Sequence, residues 1–140
     1  MKLDTYLKFD GNCREAFEFY RSAFGGDFQE LQTFAAGPPD MGVADEYLNH
    51  LMHVSLAIGP SVLMGSDCVP GFGPPNSVGN NFSITVHAAD RPEADDIFAK
   101  LSDGGAVDMP LQDMFWGAYF GALTDRFGVS WQIHCDTGRS

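Results

Sequence analysis

"FDGNCREAFEFYRSAFGGDF", residues 9–28, decides the fold. An apolar strand end runs into Asp10-Gly11-Asn12, then a helical pattern, then Gly25-Gly26. Asn12 stands at a helix N-cap position with Glu15 three residues on, the spacing of a capping box. Ala16, Phe17, Phe19, Tyr20, Ala23 and Phe24 supply an apolar face at helical spacing, and the glycine pair stops the helix. The same shape returns in "VHAADRPEADDIFAKLSDGGAV", residues 86–107. There Asp90 is the N-cap, Glu93 its partner, Pro92 sits in the tolerated first turn, and Ala94, Ile97, Phe98 and Leu101 form the face. The stop is Gly104-Gly105, and the offset between the two N-caps is 78 (90 − 12).

The flanks repeat as well. "TYLKF" precedes the first helix and "NFSITV" the second. After the first come "DFQELQTF", a long loop over 35–49, and the strands "HLMHVSLAI" and "SVLMGS" around a Gly-Pro turn. After the second come "AVDMPLQD", "WGAYFGALTD" and "VSWQIHCD". Each half therefore reads strand, helix, three strands. Module one covers about 1–66, a Gly/Pro-rich linker 67–79, and module two 80–137, within one domain of 140 residues. The fold class is α+β: two tandem βαβββ modules forming a curved mixed sheet around a cleft. A strand-lined cleft of that kind suits a small ligand.

Composition narrows the partners. With 8 basic and 19 acidic residues the net charge is −11, which repels phosphate backbones and anionic membranes. No secretory signal and no membrane-length apolar run is visible, and Cys13, Cys68 and Cys135 lack paired spacing. These features point to a cytoplasmic protein with free thiols. Cys13 reads as helix-start filler rather than a reactive thiol. Open sheets with apolar aromatic surface point to a homodimer.

Four segments carry a family resemblance: "YLKFDGNCREAFEFYRSAFGG", "MHVSLAIGPSVLMGSD", "NNFSITV" and "FWGAYFGALTDRFGVSWQIH". With the duplicated modules, they resemble the vicinal oxygen chelate superfamily of glyoxalase I and the fosfomycin and bleomycin resistance proteins, in its PhnB-like branch. Members of that branch often carry a demethylubiquinone methyltransferase label. No Gly-rich strand-to-helix loop for S-adenosylmethionine is visible here. The resemblance implies a divalent metal held by the first and last strand of each module. Those positions fall near Thr5, Met64, Asn81 and Gln132, a poor ligand set for such ions.

The reading is therefore a protein without a resident metal or cofactor that binds a small, partly apolar molecule. His53 shares a strand face with Ser55 and Ala57 and faces the cleft. Phe115, Trp116 and Tyr119 mix large rings with glycines, and they line the pocket with Met64 and Gln132. The alternative is a metal-dependent lyase or dioxygenase-type enzyme with ligands relocated to His53, Gln132 and His134. His87 reads as surface, and Asp67 and Asp125 as turn caps.

Overall fold

The computed structural model describes residues 1–136. The first half contains β1 (Thr5–Phe9), α1 (Cys13–Phe24), β2 (Asp27–Thr33), β3 (Leu51–Ile58) and β4 (Ser61–Asp67). The second contains β5 (Ile84–Ala88), α2 (Arg91–Ser102), β6 (Ala106–Asp113), β7 (Ala118–Thr124) and β8 (Ser130–Asp136). The strands form two mixed four-stranded sheets, ordered β1-β4-β3-β2 and β5-β8-β7-β6. In each, the first and last strands pair in parallel and the rest are antiparallel. This is the α+β glyoxalase-like fold with two tandem modules. The chain divides into two compact units, Met1–Ser77 and Val78–Ser140.

In the first unit, strand alternation puts Leu7 and Phe9 on the α1 side, where both are buried. Cys13, Ala16, Phe17, Tyr20 and Ala23 bury the facing side of α1. Phe17 meets Phe9 edge-on at 6.2 Å between ring centroids, and Tyr20 at 5.6 Å. Gly65 of β4 makes room for this: a Cβ there would lie 2.6 Å from Phe17 Cε1. The helix ends at Gly25 and Gly26, with φ of 77° and 86°, where a side chain would be strained. At Gly26 a Cβ would also come within 2.0 Å of the Ala57 carbonyl oxygen.

The start of α1 differs from the sequence reading. Asn12 makes no side-chain capping bond, its backbone lying at φ −109°, ψ 19°. Asp67, at the end of β4, does that work and more. Its Oδ1 accepts from Gly11 N (2.8 Å) and Cys13 N (3.0 Å), and its Oδ2 from Leu51 N (2.8 Å). Asp67 is thus a buried tie joining the strand end, the helix start and β3, not a turn cap. A carboxylate has acceptor sites on both oxygens, which is why one side chain serves three N–H groups from separate segments.

In the second unit Asp90 caps α2 as expected, while the return bond of Glu93 goes to the residue before the cap. Asp90 Oδ1 accepts from Glu93 N (2.9 Å), and Glu93 Oε1 accepts from Ala89 N (3.1 Å). Ala94, Ile97 and Leu101 bury one side of the helix. Trp131, Ile133 and Cys135 of β8 bury the α2 face of the sheet. Asp125 is a turn cap, accepting from Phe127 N and Val129 N, and it also accepts from Trp131 Nε1 at 2.8 Å.

Two segments read as loop or linker are structured. The ends of loop 35–49 are pinned by Phe34 N to His50 O (3.1 Å) and Ala35 N to Leu48 O (2.9 Å), with short 3-10 turns at Phe34–Ala36 and Asp45–Tyr47. The first part of the linker folds onto the first unit. Cys68 N donates to Phe9 O (2.7 Å), Val69 is buried, and Phe72 lies 6.1 Å from Phe34 between ring centroids. Asn81 and Phe82, by contrast, precede β5 rather than opening it.

Candidate functional site

Each sheet has one face against its helix and one face turned away from it. On the first, Tyr6 and Met64 are register partners across the parallel pair, and Ser55 is opposite Met64 on β3. Thr5 is one residue off: it shares its alternation with the buried Leu7 and Phe9. His53 does take the open face. Its ring stacks on Tyr6 (5.8 Å, 27°), the Tyr6 hydroxyl lies 3.3 Å from His53 Nδ1, and Glu30 Oε2 is 3.9 Å from Nε2.

On the second sheet Thr85 and Gln132 are register partners, joined by Thr85 Oγ1 donating to Gln132 Oε1 at 3.2 Å. Thr85 therefore stands where the sequence reading put Asn81. His87 and His134 are the next open-face pair along these strands, their ring centroids 5.3 Å apart. Phe120 is opposite His134, and Trp116 leans on Phe120 at 6.2 Å between ring centroids. Trp116 is half exposed, and Phe115, at 97% exposure, touches Trp116 at 5.1 Å.

Tyr119 takes the other side of this sheet. Its hydroxyl donates to Asp95 on α2 at 2.5 Å, and the Arg91 guanidinium lies 4.5 Å from its ring centroid while also pairing with Asp113. The hydrogen bond to Asp95 raises the Tyr119 pKa, with burial and the Asp95 charge adding and Arg91 opposing. It is therefore a helix-side residue, separated from Gln132 by the sheet.

The four positions Tyr6, Met64, Thr85 and Gln132 offer a phenol, a thioether, a hydroxyl and an amide. Those groups do not fit a hard or borderline divalent cation. Among the described residues no cluster of three or more His, Cys, Asp and Glu could hold a metal. Of the three relocated candidates, His53 belongs to the first unit, and Gln132 and His134 share one strand of the second. Cys13 is fully buried, and its thiol is pushed far up, first by burial and then by Asp67.

A feature the sequence reading passed over lies at one end of the first sheet. Asp10 just after β1, Tyr47 and His50 just before β3, and residues of the segment 68–75 after β4 line an open concavity of about 540 Å³. Asp10, Tyr47, His50 and Cys68 supply its polar groups, and Val69 with three prolines its apolar wall. The buried Nδ1 of His50 has no hydrogen-bond partner. The only hint in the sequence was the density of prolines and glycines after Asp67.

The fold is that of the glyoxalase/bleomycin resistance/dioxygenase superfamily. One such enzyme, from Burkholderia phytofirmans, superposes with a TM-score of 0.62 at 14% identity. Within that fold, residues 1–134 match the model for the 3-demethylubiquinone-9 3-methyltransferase family, the PhnB-like group, and the chain belongs to it. Protein PA1353 of Pseudomonas aeruginosa is 38% identical, with a TM-score of 0.87 over 97% of this chain and 98% of its own. The PhnB protein of Bacillus cereus is 26% identical, with a TM-score of 0.76 over 96% and 99%. Protein YjdN of Escherichia coli K12 is 29% identical over 96% of this chain and 95% of its own length.

Proposed function

We propose that this protein binds a small, partly apolar molecule on the open faces of its sheets, without the divalent metal of superfamily enzymes. The observation that carries the reading is the register. Tyr6 faces Met64 and Thr85 faces Gln132, so the paired positions hold no carboxylate or imidazole. Around them stand groups suited to an uncharged, aromatic-contacting ligand: His53 stacked on Tyr6 in one unit, and Phe115, Trp116 and Phe120 in the other. The methyltransferase name of the family finds no support in the strand-to-helix turns. Both lead directly into capped helices whose first-turn N–H groups bond to Asp67 and Asp90, which leaves no Gly-rich cradle for a cofactor.

The supporting experiment is a thermal-shift screen of small aromatic and amphiphilic compounds, paired with elemental analysis of the purified protein. A ligand at a hundred times its dissociation constant stabilises by about 2.7 kcal/mol, a measurable rise in Tm. Trp116→Ala abolishes the shift for a ligand seated on the second sheet. A hit that is consumed transfers the reading to an enzyme. A stoichiometric divalent metal that survives dialysis overturns it.

We also propose a homodimer in a reducing, cytoplasmic setting. The exposed Phe82, Phe115 and Trp116 and three free cysteines support it. Among the described residues no helix is long and apolar enough to cross a membrane. Light scattering that finds only monomer at micromolar concentration refutes the dimer.

A further inference from the structure

We propose that the strand-end concavity of the first unit binds a primary ammonium ion carrying a compact apolar body. The site is separate from the open faces invoked above. Its volume of about 540 Å³ lies within the range of small-molecule pockets. It lies just beyond the carboxyl ends of the parallel strands β1 and β4, with Asp10 following the one and Cys68 the other.

The chemistry of the wall selects the ligand. Asp10 provides the charge. The single contact shown for its carboxylate is a long one, from Asn76 Nδ2 at 3.4 Å, so acceptor capacity remains. The other carboxylate at this sheet end, Asp67, is already committed to three backbone N–H groups. The potential at the wall is felt by its thiol: Cys68 is raised by burial first and by Asp10 second, with Lys8 opposing. An anion would meet that field unfavourably, and the net charge of −11 adds to the bias.

The body of the ligand has matching surfaces. Tyr47 and His50 meet edge-on at 5.4 Å between ring centroids and form an aromatic corner. Pro74 and Pro75 stand on the same concavity as rigid apolar surface. His50 adds a second polar group. Its ring stands on the wall of the concavity, and its buried Nδ1 has no hydrogen-bond partner within the protein. A primary ammonium suits the Asp10 carboxylate as donor to acceptor, while the Tyr47 ring attracts the charge.

The test is a titration of 15N-labelled protein with phenethylamine hydrochloride at pH 7 and low salt. Its neutral isostere, 2-phenylethanol, is titrated alongside. The expected result is saturable shifts at the amides of Gly11, His50 and Cys68. Affinity falls about fivefold or more for 2-phenylethanol and for Asp10→Asn, since an exposed charge pair is worth a modest factor and a desolvated one more. Asp10 is exposed, so Asn replaces it without loss of a core contact. Trp116→Ala leaves the binding unchanged, which separates this site from the open-face reading. Absence of saturable shifts at these amides overturns the proposal. So does equal affinity for the alcohol, or an Asp10→Asn variant that binds as tightly as the parent.

Discussion

Removing the Asp67 carboxylate tests the central tie of the first unit. Asp67→Ala strips the acceptor from three backbone N–H groups, those of Gly11, Cys13 and Leu51. The bonds to Cys13 and Leu51 are buried, while that to Gly11 is partly buried, where water can replace the carboxylate. Each buried donor left unpaired costs about 1–3 kcal/mol, so the two together cost about 2–6 kcal/mol. That is a large share of a typical stability of about 5–15 kcal/mol. Asp67→Asn is milder. Its amide oxygen can keep Gly11 and Cys13, but its NH2 then faces the Leu51 N–H, so one bond is lost. The assay is urea denaturation read by two probes. Both tryptophans, Trp116 and Trp131, lie in the second unit, so their fluorescence reports that unit, while far-UV circular dichroism reports both. The dichroism midpoint falls in the order parent, Asn, Ala. If Asp67→Ala costs less than about 1 kcal/mol, or if Asn is worse than Ala, the three bonds do not hold the unit as argued.

Other perturbations follow from single sites. Gly26→Ala is much more damaging than Gly25→Ala, because a Cβ meets the Ala57 carbonyl at 2.0 Å at the first position and nothing within 4 Å at the second. Gly25→Ala still carries a backbone penalty of about 1–3 kcal/mol, and equal melting temperatures for the two variants would contradict this. Tyr119 ionises above the ordinary tyrosine range, because the neutral hydroxyl is the form that donates to Asp95. With the folded pKa raised, this bond's contribution is complete below the unfolded tyrosine value near 10 and is lost as pH rises through the folded value. Ultraviolet difference titration of parent against Tyr119→Phe isolates the group, and Asp95→Ala brings its midpoint down. Native protein exposes one thiol to a disulfide reagent before the other two, since Cys68 is half-buried while Cys13 and Cys135 are buried. Fast labelling of Cys13 would contradict its raised pKa and its buried place at the start of α1.

The two helices were legible to within a residue or two because local signals agreed. Asp90 with Glu93 opens α2, glycine pairs follow both helices, and both run twelve residues, Cys13–Phe24 and Arg91–Ser102. The cap on α1 was misread for a physical reason. Asn12 has the right chemistry locally but makes no capping bond, and the first N–H of the helix, that of Cys13, is held by a carboxylate 54 residues away. Thr5 was placed one residue from the register partner of Met64. The alternation of Leu7 and Phe9 already held the correction, since a strand with those two inward turns Tyr6 outward. His53 was found by the same alternation on β3. Tyr119 was misjudged because aromatic clustering says nothing about which face a ring takes, and its face is set by pairing with Asp113 on β6 and contact with Asp95 on α2. The concavity around His50 was out of reach, for it arises where segments distant in sequence meet.

The parallel pairing of β1 with β4 also has a meaning for how the chain is made. Thr5 finds Leu63 across 58 residues (63 − 5), and Ile84 finds Trp131 across 47 (131 − 84). The difference in closure entropy is only about 0.2 kcal/mol, below thermal energy, so neither sheet has an intrinsic head start. Synthesis breaks that tie. Asp67 is added 43 residues after Phe24 (67 − 24), and at about 5–20 residues per second the apolar side of α1 waits roughly 2–9 s for the strand that ties it down. During that interval β2 and β3 can pair beside Phe17 and Tyr20, but the sheet that covers them is incomplete. The first sheet is thus completed, and the start of α1 tied to it, only with the arrival of one aspartate.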